Sequence, residues 1–321
     1  MTRQDKFPED LTRAASRAPA SPRADRPAHL TIAVVVATVG RARTVRMAMD
    51  RLARQSRAPD RVLAVAVTPA DIEDLDQAAI GVETHLSTRG LCCQRNHGLA
   101  VLGGGNDLVV FFDDDFVPAD DYLEKAERLF AEHADIVGAT GRVIADGVNG
   151  PGVSFAAAEA ILEADTFAAE ETAAVRPKRA LYGCNMVYRA AVIGDLRFDE
   201  ALPLYGWQED IDFSYRLGAR GRLVQCDAMS GVHMGEKVGR TSGRRLGYSQ
   251  IANPLYLLGK ASIPRDLALR IMRNNVASNL LGSIRPEPYI DRRGRLMGNL
   301  VALRDLVTGQ IHPRRIFEMK G

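Results

Sequence analysis

The chain has 321 residues, of which 46% are hydrophobic and 26% charged. That is ordinary globular composition, long enough to bury a large core without a disulfide or zinc staple. The 42 Lys and Arg nearly balance the 40 Asp and Glu, which argues against a nucleic-acid partner and allows only a local basic face.

Residues 1–28 are rich in Arg, Ala, Pro, Ser and Asp, with Pro19, Pro22 and Pro27 interrupting any helix; they read as a disordered tail. Leu30–Ala37 is a Val-rich run that ends at Thr38-Val39-Gly40, a buried strand followed by a turn. It is also the longest apolar run, far short of the roughly 20 residues a membrane-spanning helix needs. Val45, Met49, Leu52 and Ala53 are spaced as one face of a helix over 43–55. Short strands are expected at Arg61–Val67 and Leu108–Phe112, and a helix from Pro118 to about His133. Strands alternating with helices predict an α/β fold with a mostly parallel sheet, whose ligands sit beyond the strands' carboxyl ends. From about residue 260 two helical stretches follow, 264–282 and 296–307, and 260–321 holds 12 Lys or Arg against 5 Asp or Glu. Cys92, Cys93, Cys184 and Cys226 form no CxxC pair, and no apolar core follows Arg3 and Lys6. A reducing, cytoplasmic compartment without a secretory signal is therefore expected.

Five features carry candidate chemistry. Asp113-Asp114-Asp115 follows an apolar strand; alternation turns Asp113 and Asp115 to one side, where hard oxygens suit Mg²⁺ or Mn²⁺ beside a phosphate. A solvated loop with a helix cap is the alternative. Trp207-Gln208-Glu209-Asp210 places carboxylates at the start of a helix, where the dipole favours their ionised form and an aromatic platform adjoins a candidate base. His233 ends a short strand signal and is either a ligand or a buried hydrogen-bonding group. Arg95 in Gln94-Arg95-Asn96-His97-Gly98 can meet a phosphate or lie on a helix surface. Lys237, Arg240, Arg244 and Arg245, spaced by glycines, form a basic loop able to close over a diphosphate.

Taken in order, these motifs resemble the family 2 glycosyltransferases, inverting enzymes of GT-A fold, over about residues 30–258. Val34–Arg41 is similar to the opening strand and nucleotide turn; Gln94–Gly98 to an ARN-x-G segment; Phe111–Asp115 to a DxD motif; Gly183–Met186 to an acceptor segment; and Phe198-Asp199-Glu200 with Gly206–Asp210 to an FDE…ED block. The resemblance implies a GT-A catalytic domain over 29–258 and a basic helical extension over 259–321. It implies Asp115 and His233 as metal ligands and Asp210 as catalytic base. It places Thr38, Gly40, Arg41, Thr68, Arg95, Asp113 and Asp114 at the donor nucleotide, and Trp207, Glu209 and Asn185 at the acceptor. Lys237 and Arg240 fall on the diphosphate loop. The second strand lacks the family's Asp-rich end and closes on Thr68-Pro69-Ala70-Asp71, which leaves the nucleobase open. The implied partners are a nucleotide-diphosphate sugar and a glycan or lipid-linked acceptor in surface polysaccharide synthesis. Leu267, Ile271, Val276 and Leu280 can form an apolar face that either rests on an anionic membrane as a peripheral contact or packs on the catalytic domain. Two other readings compete. One is a non-catalytic nucleotide-sugar-binding scaffold. The other is a sugar nucleotidyltransferase, disfavoured because Val39-Gly40-Arg41 is poor in glycine. A dinucleotide-binding dehydrogenase lacks its GxGxxG.

Overall fold

The computed structural model describes residues 29–73, 75–165, 174–237 and 241–319. The expected tail, 1–28, and Arg240 lie outside them. β1 (Ile32–Ala37), β2 (Arg61–Ala66), β3 (Glu83–Leu86) and β4 (Leu108–Asp113) run parallel, in the order β3-β2-β1-β4. The strand period of two sends the side chains of β1 into two separate cores. Ile32, Val34 and Val36 join Val45, Met49 and Leu52 of α1 (Ala42–Leu52) and Leu123 and Ala126 of α3 (Tyr122–Glu132). Ala33 and Val35 join Leu99 and Leu102 of α2 (Leu91–Leu102) and Phe213 and Leu217 of α6 (Glu209–Gly218). Gly98 lets α2 lie flat on β1, because a Cβ there would stand 2.6 Å from Val35.

The second half of the sheet is mixed. β8 (Asn185–Arg189) is antiparallel to both β4 and β6 (Ile136–Asp146). β9 (Arg222–His233) pairs parallel with β6 and antiparallel with β5 (Phe116–Pro118) and β7 (Val175–Lys178). The all-parallel pairing expected from the alternating helices therefore holds for β3-β2-β1-β4, whereas the other half combines one parallel pair, β6 with β9, with antiparallel ones, because β8 returns beside β4 in the opposite direction.

Three helices close the chain: α7 (Gly243–Gly259), α8 (Arg265–Gly282) and α9 (Arg292–Val307). α7 belongs to both parts. Tyr248, Ile251 and Ala252 pack with Ala302 and Ile316, whereas Leu257 packs in the core under the sheet. The apolar face expected on α8 is largely turned inward: Leu267 and Val276 pack against the cores, and of the four named residues Leu280 is the exposed one. No helix among the described residues is long and apolar enough to cross a membrane.

Candidate active site

Register assembles the site. Ala37 lies opposite Asp113, so β1 and β4 release Thr38 and Asp114 side by side. Thr38 Oγ1 donates to Asp114 Oδ2 (2.8 Å), and Arg41 Nη1 donates to Asp114 Oδ1 (2.8 Å). Burial pushes the Asp114 carboxyl up to about 7, against the pull of Arg41 and Thr38. Gly40 makes the turn at φ 68°, a left-handed value that favours glycine. Its N–H donates to Asp71 Oδ1 (2.7 Å).

β9 delivers the opposite wall. His233 pairs with Phe116 of β5 on one side and with Asp146 of β6 on the other. Its Nε2 lies 3.4 Å from Asp115 Oδ1, and its Nδ1 3.2 Å from Asp146 Oδ1. Tyr182 Oη donates to Asp146 Oδ2 (2.7 Å), and the Glu236 N–H donates to Asp115 Oδ2 (2.7 Å). Burial opposes the His233 imidazolium, but Asp115 and Asp146 outweigh it and hold the ring up at about 10. Burial likewise opposes the Asp146 carboxylate, yet His233 and Tyr182 bring it down to about 2.

Asp113, Asp115 and His233 each offer one ligand atom, all within 4.8 Å of one another. Two carboxylate oxygens and an imidazole suit a small divalent cation such as Mn²⁺ or Mg²⁺. Asp146 on the far nitrogen of His233 is the partner that orients a ligating ring. The donor set fits the ion.

The helix carrying Asp210 enters through two left-handed residues, Gly206 (φ 64°) and Gln208 (φ 74°). The second, a non-glycine, costs about 1 kcal/mol or more. This turn puts Asp210 in the first turn of α6. There Oδ2 accepts from the Gly183 N–H (3.0 Å) and Oδ1 from the Ile211 N–H (2.8 Å). Burial pushes the Asp210 carboxyl up, against those two N–H groups and Arg95, which makes it a stronger base.

Several expected contacts resolve differently. Arg95 is 1% exposed and faces no substrate space. It donates to Glu209 Oε1 (2.5 Å), Asp113 Oδ1 (2.8 Å) and the Gly183 carbonyl (2.8 Å). It is the internal counter-cation of the site, and Glu209 is its partner rather than an acceptor contact. Asn185 is fully buried. Its Oδ1 accepts from Tyr122 Oη (3.0 Å), Thr140 Oγ1 (2.9 Å) and Gly141 N (2.5 Å); it ties β8 to β6 and does not face the acceptor. Thr68 and Asp71 cap their own short turn, and neither lines the cavity.

A cavity of about 950 Å³ opens over the strand ends. Thr38, Arg41, Asp113, Asp114, Asp115 and His233 line its floor. Trp207 and Lys237 line its sides, the latter with Nζ donating to the carbonyls of Gly147 (2.8 Å) and Val148 (3.0 Å). Sequence reasoning missed Asp146, Tyr182 and Glu236, and also the wall built by Asn275, Tyr289 and Arg295 from the C-terminal helices. An Asp at the end of a strand was the sole local signal for Asp146.

Residues 27–230 match the family model described as Glycosyltransferase like family 2, well over half of the chain. The chain belongs to this family. It is a glycosyltransferase, and the nucleotidyltransferase and scaffold readings fall away. No curated protein sequence matches it. S. aureus TarS 1–349 in complex with UDP-GlcNAc is similar at 19% identity and TM-score 0.52, covering 89% of this chain and 83% of that one. The Pyrobaculum calidifontis mannosyltransferase PcManGT, in complex with GDP-Man and Mn²⁺, is similar at 13% identity and TM-score 0.50, covering 90% and 85%. GalNAc-T7 with UDP, GalNAc and Mn²⁺ is similar at 12% and 0.50, covering 88% and 59%. These likenesses bear on the fold, which is GT-A.

Proposed function

We propose that this glycosyltransferase moves a sugar from a nucleotide-diphosphate donor to a hydroxyl of a glycan or lipid-linked acceptor, with inversion, in the synthesis of a surface polysaccharide. One observation carries the reading: the metal-fitting group and the candidate base are wired together. The Gly183 N–H holds Asp210, the Gly183 carbonyl holds Arg95, and Arg95 holds Asp113. Asp113, Asp115 and His233 would hold a divalent ion, which would supply positive charge against the leaving diphosphate. Thr38, Gly40 and Arg41 border the nucleotide end, and Lys237 adds charge near the diphosphate. Asp210 takes the proton of the acceptor hydroxyl. As the new bond forms between that oxygen and the anomeric carbon, the bond to the diphosphate oxygen breaks on the opposite face, so the configuration inverts. Trp207 offers an apolar surface to the acceptor sugar.

The test is a panel of UDP-, dTDP- and GDP-sugars with Mn²⁺ or Mg²⁺, scored for nucleoside diphosphate release with and without EDTA. The product anomer is read by NMR. Release from one donor, abolished by EDTA, is expected. Asp210→Asn is expected to cut turnover roughly 10²–10⁴-fold while calorimetric donor affinity is unchanged. Silence across the panel with no donor binding would overturn the proposal. Lost donor affinity in Asp210→Asn would overturn the role of Asp210.

A further inference from the structure

The C-terminal helices share a small apolar core, yet they also carry large apolar side chains on their outer surface, and α9 turns mainly small and polar residues inward. α9 buries Gly298, Asn299, Ala302 and Asp305, and exposes Met297, Leu300, Leu303 and Val307. α8 buries Ala268 and Asn279 and packs Leu267, Met272 and Val276 inward, but exposes Leu269, Leu280 and Leu281, with Ile284 exposed just after its end. All but four of the large hydrophobic residues exposed among the described residues lie between Leu269 and Phe317.

The inner contacts explain why small and polar residues face inward. α7 carries Gly243 and Gly247 four apart, and α9 carries Gly294 and Gly298 at the same spacing. A Cβ on Gly247 would collide with the Arg295 carbonyl oxygen, and one on Gly298 with that of Arg244. Amides join the helices. Asn279 Nδ2 donates to Gln250 Oε1 (2.7 Å) and Asn299 Oδ1 (2.8 Å), and Asn299 Nδ2 donates to the Gly247 carbonyl (2.6 Å). Close glycine contacts, amide bonds between helices and large apolar residues outside are how helices pack when lipid surrounds them.

The rim of this face is basic. Arg273 lies on the α8 stripe between Leu269 and Leu280, Arg285 follows Ile284, and Arg293 lies one turn before Met297; all three are exposed. Of the nearby acids, Glu287 is bound to Arg292 (2.7 Å) and Asp291 caps the Gly294 N–H (2.8 Å); Asp266 stands at the far end of α8. A second copy docked face to face would set Arg against Arg, whereas anionic headgroups complement them. The face also adjoins the cavity. The α8–α9 connection supplies Pro288 and Tyr289 to the cavity wall, and Tyr289 is half exposed.

We propose that the outer face of α8 and α9 lies in the headgroup layer of an anionic bilayer and holds the cavity mouth against it, so that the acceptor is a glycan carried on a membrane lipid. The choice of acceptor rests on the transferase reading above; the surface does not. The test is therefore sedimentation of the full chain with vesicles, with no donor or metal present. Binding to vesicles containing phosphatidylglycerol is expected, with little to pure phosphatidylcholine. Leu281→Glu with Leu300→Glu should weaken it roughly a hundredfold. Arg285→Gln and Arg293→Gln should each weaken it about fivefold at low salt. Circular dichroism and donor affinity should be unchanged, since all four side chains point away from the cores. No partition into any vesicle would overturn the proposal. So would self-association that the Leu→Glu pair abolishes, because the face would then be an interface between copies. Vesicle binding together with silence in the donor panel would leave the surface standing and remove the transferase reading instead.

Discussion

Arg95→Met tests the electrostatic frame of the site most directly. The guanidinium is 1% exposed, lies 5.4 Å from the centre of the Phe198 ring, and makes three hydrogen bonds of 2.5–2.8 Å. Methionine keeps the packing and removes the charge, leaving Glu209 and Asp113 facing each other without a cation. Breaking a buried pair from one side costs about 3–5 kcal/mol. At about 2–4 °C per kcal/mol, that is a fall in Tm of roughly 6–20 °C. The sign with pH follows. Even beside Arg95, burial holds the Glu209 and Asp113 carboxyls above their ordinary 4.5 and 3.8, and losing the cation raises both further. The penalty is smallest below those values and grows as pH rises through them. Scanning calorimetry between pH 4 and 8, a range set at roughly the ordinary carboxyl pKa and above, reads both effects. Adding Glu209→Gln should return more than half of the loss. A Tm unchanged in Arg95→Met alongside weakened nucleotide affinity would refute the reasoning, because Arg95 would then be the phosphate contact the sequence suggested.

Asp146→Asn should weaken Mn²⁺ binding roughly 10–100-fold by calorimetry, since Asp146 orients His233; an unchanged affinity would count against the Asp113–Asp115–His233 site. In chelator-treated protein, the His233 interaction is fully present below its ordinary 6.5 and is lost as pH rises toward about 10, so His233→Gln should flatten the alkaline limb of the stability profile. The Asp146 carboxylate acts at the other end: its contribution is present above 3.8 and is lost as pH falls toward about 2. Gly298→Ala should lower stability by about 1–3 kcal/mol in thermal melts, because the methyl meets the Arg244 carbonyl rather than a yielding side chain. A neutral result would mean that α7 and α9 are not in close contact.

The sequence determined what is written locally. The Val-rich run at 32–37 needs only its own composition to be a buried strand, and Asp113–Asp115 follow directly from an apolar segment. Their place at the strand ends, a helix with Glu209 and Asp210 near its N-terminus, and, through the family resemblance, the GT-A class were all legible there. The tertiary structure decided which charges meet. Arg95 and Glu209 are 114 residues apart, and a buried guanidinium and a phosphate-binding one look alike in a sequence. Asp146 reaches His233 through the pairing of β6 with β9, a non-local register that no spacing encodes. The C-terminal helices show the limit best. The spacing of Leu267, Ile271, Val276 and Leu280 offers an apolar face on α8 and none on α9, but does not reveal which side is packed. That depends on Gly247 and Gly298 bringing two backbones close enough for small and polar residues to fill the inside, a fact of contact between helices that neither helix carries alone.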